Sequence, residues 1–167
     1  VSRSTVRHAI ADYLTAGAIT GVGTIFASPP KLSRTSDALV GAAPGAVSGA
    51  VVYIEITESF EIRVGLGGTG AGKKSVHHTV QCYVFFHSVQ RRAEDAMDDH
   101  DDIIEGLLVR IRADRTHGTA GSEFPILQAG EGDPGIAVQT SLPKDAGGGA
   151  IDIWTSIKFD AEEFITA

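Results

Sequence analysis

Two long stretches of the chain alternate between apolar and polar positions. Between residues 51 and 64, Val52, Ile54, Ile56, Phe60, Ile62 and Val64 form one set, with Glu58 the exception within it. Tyr53, Glu55, Thr57, Ser59, Glu61 and Arg63 form the other. Between 75 and 87, His78, Val80, Cys82, Val84 and Phe86 alternate with His77, Thr79, Gln81, Tyr83 and Phe85. A period of two sends successive side chains to opposite faces, so each stretch predicts a half-buried strand. Both exceed the usual strand length of about 5–6 residues. Together they predict a long antiparallel two-stranded ribbon whose tip is the glycine-rich segment 65–74.

Helical spacing occurs twice. Val6, Ala9, Ile10, Tyr13 and Leu14 predict an opening helix, with Ser2 or Ser4 as its cap and Gly17 as its stop. Between 91 and 114, Ala93, Met97, His100, Ile104, Leu107, Leu108 and Ile111 form one stripe. Acids crowd the first half of that segment, and Arg110, Arg112 and Arg115 its end, which complements a helix dipole. A short strand is predicted over 22–28, stopped by Pro29-Pro30, because proline cannot donate to a ladder. Residues 31–49 read as a long loop and Ile126–Ala129 as a short strand. Residues 151–159 alternate again, with Ile151, Ile153, Ile157 and Phe159 against Asp152, Trp154, Ser156 and Lys158. The expected fold is α+β: one domain over 1–167, an antiparallel-rich sheet with the long ribbon, and two helices packed on one face.

Composition narrows the function classes. The 167 residues carry a formal net charge of -7, so a phosphate-neutralising surface is not the expected partner face. Cys82 is the lone cysteine, which rules out an internal disulfide. No apolar run approaches the roughly 18 residues of a membrane span, so no membrane partner is expected.

The glycine-rich segment invites a nucleotide reading. Gly65-Leu66-Gly67-Gly68-Thr69-Gly70 fits the dinucleotide pattern, and Gly67 to Lys73 nearly fits the phosphate loop, with Lys74 at the Ser/Thr position. Both motifs need a helix to follow, because its N-terminal amides hold the phosphates. Ser75-Val76-His77-His78-Thr79-Val80 reads as a strand instead. A flexible tip kept soluble by Lys73 and Lys74 is the expected alternative. His77 and His78 fall on opposite faces, and His78 and Cys82, four residues apart in a strand, are separated by about 13 Å, so no metal site is expected. Nor is any catalytic residue or cofactor. Tyr53, Tyr83 and Trp154 sit on the polar strand faces, where solvent-facing aromatics can anchor interfaces.

The opening helix, the strand Val51–Ile56, the strand His78–Phe86, the helix from Ala93 to Asp114 and the strand Ile153–Phe159 together resemble the tail terminator proteins of long-tailed bacteriophages and related tail-completion and neck proteins. The Ala/Gly/Asp/Arg-rich usage resembles that of phages with GC-rich hosts. The resemblance covers most of the chain and carries no catalytic signature. It implies a non-enzymatic virion protein, assembled in the host cytoplasm. Such a protein forms a homo-oligomeric, hexameric ring that caps the tail tube, stops its polymerisation and meets the head–tail connector. Its partners are then the major tail tube protein and the connector or stopper, while DNA passes through the lumen without sequence-specific binding. Gly67, Lys73, Lys74, Tyr53, Tyr83 and Trp154 are expected at subunit or tube contacts. Glu55 and Glu61 are expected in an acidic lumen that repels phosphate. A tail tube or head–tail connector subunit is the nearest alternative; a nucleotide-binding enzyme using Gly65–Lys73 is the alternative from a different class.

Overall fold

The computed structural model of the protein describes residues 3–29, 48–63, 73–89, 92–113 and 135–166. The elements are α1 (Arg3–Ala16), β1 (Val22–Phe26), β2 (Ser48–Arg63), β3 (Lys73–Ser88), α2 (Ala93–Ala113), β4 (Ala137–Thr140), β5 (Lys144–Gly147) and β6 (Ala150–Thr166). The fold is α+β, with a mixed and mostly antiparallel sheet. The strands run in the order β1-β2-β3-β6-β4, with β5 also paired to β6. β1 lies parallel to β2, and the remaining pairs are antiparallel. The expected strand at 126–129 and most of the expected loop at 31–49 lie outside the described residues.

The ribbon forms as its alternation predicts, and a third strand doubles it. β2 and β3 are 16 residues each. β6 follows β3 along its whole length, from Ser88↔Ile151 to Lys73↔Thr166. β4 and β5 are the elements the pattern did not predict. Their residues are exposed throughout and have no apolar period, so pairing with β6 alone defines them.

Both helices bury their stripes against one face of the sheet. Val6, Ile10 and Leu14 of α1 and Ile104, Leu107 and Ile111 of α2 join Val52, Ile54, Val80, Cys82, Val84, Phe86, Ile153 and Ile157 in one core. Burying a side chain of this size contributes roughly 1.5–3 kcal/mol. The helices are joined reciprocally: Tyr13 Oη donates to the Arg110 carbonyl at 2.9 Å, Arg110 Nη2 donates to the Tyr13 carbonyl at 3.1 Å, and the guanidinium lies 3.7 Å from the Tyr13 ring centre. His100 is fully buried in α2, with Nε2 2.8 Å from Thr155 Oγ1 and Nδ1 2.9 Å from Asp101 Oδ1. Ser4 lies inside α1 rather than capping it, and the left-handed residue after the helix is Ala18, one position beyond Gly17.

A β-bulge between Ile56 and Glu58 changes which face the outer half of β2 presents. Ile56 pairs with Val80, but Glu58 pairs with Thr79, so Thr57 is the extra residue. One added residue inverts every position beyond it. Phe60 and Ile62, expected on the core side, therefore lie opposite His77 and Ser75 on the other face, where they are 50% and 46% exposed. Ser59 moves to the helix side.

Candidate assembly surface

The face of the sheet opposite the helices is built from cross-strand rows that the register defines. Val51, Phe85 and Trp154 form one row, and Tyr53, Tyr83 and Ser156 the next. Glu55, Gln81 and Lys158 follow, then Glu58, Thr79 and Asp160, then Phe60, His77 and Glu162. Among the described residues no helix covers this face, since the buried stripes of both helices belong to the core on the other side. Yet Val51 and Phe85 are buried here, under Phe26 and Trp154. Aromatic side chains on facing strands provide the cover that a helix would otherwise supply.

The geometry of these rings is specific. Tyr53 and Tyr83 stack with centroids 4.8 Å apart and planes at 21°. Phe85 and Trp154 meet at 4.7 Å and 51°. The chain leaving β4 bonds to the same row, with Ser141 N donating to the Trp154 carbonyl at 2.8 Å and Trp154 N donating to Ser141 Oγ at 3.1 Å. Between this segment and the rings lies a cleft of about 330 Å³, walled by Tyr53, Tyr83 and Trp154 together with Gln139, Thr140 and Ser141. Burial pushes the Tyr53 phenol upward in pKa, and the Tyr83 and Glu55 charges add to it. Tyr83 is raised likewise, by burial and then by Glu55. Both phenols therefore stay protonated through neutral pH, as hydrogen-bond donors.

Farther along the same face, Thr79 Oγ1 donates to Asp160 Oδ1 at 3.2 Å, and the Ser75 hydroxyl donates to Glu162. His77 Nε2 lies 3.5 Å from Glu162 Oε1, with its ring stacked on Phe60 at 4.9 Å. The Glu55 side chain makes no hydrogen bond or ion pair among the described residues. No three His, Cys, Asp or Glu side chains among the described residues converge as a metal site requires.

The protein matches no family model, and no curated protein matches it. What the surface can do is read from its geometry.

Tyr53, Tyr83 and Trp154, chosen from alternation, come together around one cleft, and Glu55 shares their face. Glu61 does not. The bulge puts it on the opposite face, where its carboxylate pairs with Lys74 Nζ at 2.8 Å. Glu61 is exposed and Lys74 about a third exposed, 47% and 34%, so the pair contributes about 0–1 kcal/mol. Glu55 and Glu61 thus cannot line one lumen through a single face. Gly67 lies outside the described residues. Lys73 opens β3, so a strand rather than the helix that either nucleotide pattern calls for follows the glycine-rich segment. His77 and His78 take opposite faces as expected. Phe26, Val51, Phe85 and Phe60 are the members of the surface that alternation alone did not single out. A second cavity, of about 670 Å³, lies between the α1–β1 turn and α2. Arg110 on its wall is already engaged by Tyr13.

Proposed function

We propose that the protein is a structural subunit of a phage tail or neck: it closes into a hexameric ring, caps the tail tube, stops its growth and meets the head connector. The observation that carries this reading is the sheet face that neither described helix covers, with its stacked aromatic rows continuing into exposed Phe60 and Ile62 on the long three-stranded arm. Apolar surface of this kind, rimmed by polar residues, marks protein contacts. A ring needs two different patches per subunit that close by rotation. The partly unpaired outer edges of β2 and β6 are available for that closure among the described residues, since β1 covers Ala50–Tyr53 of β2, and β5 and β4 cover Ala150–Asp152 and Thr155–Lys158 of β6. The aromatic face is then left to meet the tube protein, and Glu55 is an interface residue rather than a lumen residue.

Native mass spectrometry of the purified protein tests the ring. A hexamer at micromolar concentration is the expected species. A strict monomer over that range contradicts the reading, and unlimited filaments would favour a tail tube subunit instead.

A further inference from the structure

We propose that the sheet face opposite the helices receives an extended, arginine-bearing segment of a partner protein, with a guanidinium seated in the cleft between Tyr53, Tyr83 and Trp154 and paired to Glu55. The proposal rests on reading this face as an assembly surface, and it assigns the chemistry of the partner.

Three observations point to a cationic occupant. Three of the residues that line the cleft are aromatic: the stacked pair Tyr53 and Tyr83, and Trp154. A cation over aromatic faces is attracted by the ring quadrupoles, and a planar guanidinium stacks on them. Glu55 lies two residues beyond Tyr53 on the same strand and face, and across from Gln81, which neighbours Tyr83. Two residues along a strand span about 7 Å, within reach of an arginine seated over the rings. Glu55 has no ion-pair partner among the described residues, so an incoming cation displaces no described partner there. Beyond it, Glu58, Asp160 and Glu162 share the face with Lys158, so the surround is acidic.

The same charges decide against a second copy as the occupant. The chain carries a net charge of -7, and complementarity points to a partner of opposite sign. The strand character of the surface favours an extended segment, whose alternate side chains match rows spaced two residues apart.

Trp154 is the one tryptophan in the chain, so its emission reports on this cleft directly. The test titrates the protein with an extended peptide alternating arginine and threonine, and with a control in which every arginine is glutamate. The expected result is a saturable change in Trp154 emission with the arginine peptide, none with the control, and binding weakened by about tenfold in Glu55→Gln, as loss of a charge-assisted contact implies. Tyr83→Leu keeps an apolar side chain and removes the π face; it too should weaken binding, with an unchanged circular dichroism spectrum as the check on folding. No saturable change, equal binding of the glutamate peptide, or wild-type affinity in Glu55→Gln would overturn the proposal. If rings form and tubes are capped while the arginine peptide fails to bind, this assignment falls and the ring reading stands. If the peptide binds as described to a protein that stays monomeric, the ring reading falls and the site stands.

Discussion

Ser59, rather than Phe60, faces His78 across the β2–β3 pair, with Ser59 Oγ 2.8 Å from His78 Nδ1. Arg3 Nε at the start of α1 donates to the same Ser59 Oγ at 2.9 Å. The Ser59 hydroxyl, accepting from Arg3, has its own proton to offer to Nδ1. The extra residue Thr57 creates this relationship, and it separates two isoleucines that alternation treats alike. Ile56 is 6% exposed and Ile62 46% exposed. Ile56→Ala should cost about 2–4 kcal/mol in urea unfolding, and Ile62→Ala less than about 1 kcal/mol. Equal losses would mean that the register continues without a bulge.

Much of the architecture was legible in the pattern because it rests on long periodic runs. β2, β3, β6 and both helices each repeat their period enough times to identify themselves. The bulge was not legible. Phe60, Ile62 and Val64 continue the apolar alternation past Glu58, so the sequence alone places them on the core side, and only pairing with β3 reveals the inversion. The same inversion separated Glu55 from Glu61. β4 and β5 carry no signal of their own, since four exposed residues have no face to bury. Tyr53, Tyr83 and Trp154 could be assigned to one side by parity, but their convergence on a cleft depends on cross-strand register.

His100 ties α2 to the sheet through a chain of side chains: its ring meets Phe86 edge-on at 5.8 Å, and Thr155 Oγ1, bonded to His100, donates onward to Thr140 Oγ1 at 3.0 Å. His100→Ala should destabilise by roughly 2–4 kcal/mol, from the cavity and the lost partner of Thr155. His100→Leu retains most of the volume and should cost about 1–2 kcal/mol, recovered in part when Thr155→Val removes the hydroxyl that has lost one of its two partners. Chemical unfolding of the four variants gives the coupling. Additive losses would show that the hydrogen bond contributes nothing.

Cys82 is fully buried between Ile54 and Ile157, and burial pushes its thiol up to about 12. The raised value favours the thiol over the nucleophilic thiolate at pH 8. A thiol-specific disulfide reagent at that pH should therefore label the native protein only as fast as it unfolds, and label it at once in denaturing urea. Rapid labelling of the native state would contradict the placement of Cys82 in the core.

Gly21 has φ +80°, and a Cβ there would meet Ile103 Cδ1 at 2.8 Å. Gly148 has φ +65° with open space around it. Gly148→Ala should cost about 1 kcal/mol, the conformational penalty alone, and Gly21→Ala clearly more. Ile103→Ala removes both clashing carbons, Cδ1 and Cγ1, and should recover part of the Gly21→Ala loss in a double-mutant cycle. Equal costs at the two glycines would show that the α1–β1 turn does not pack against α2 this closely.

On the proposed function, the sheet face opposite the helices is where this protein meets the tail tube. The most direct test is the length distribution, in negative-stain images, of tubes grown from the cognate tail tube protein with wild type or with the Tyr53→Ser/Tyr83→Ser variant, both confirmed as folded by circular dichroism. Wild type should give short tubes with a ring at one end, and the variant should give long uncapped tubes. Equal capping by the variant, or no effect of wild type on tube length, would contradict the account.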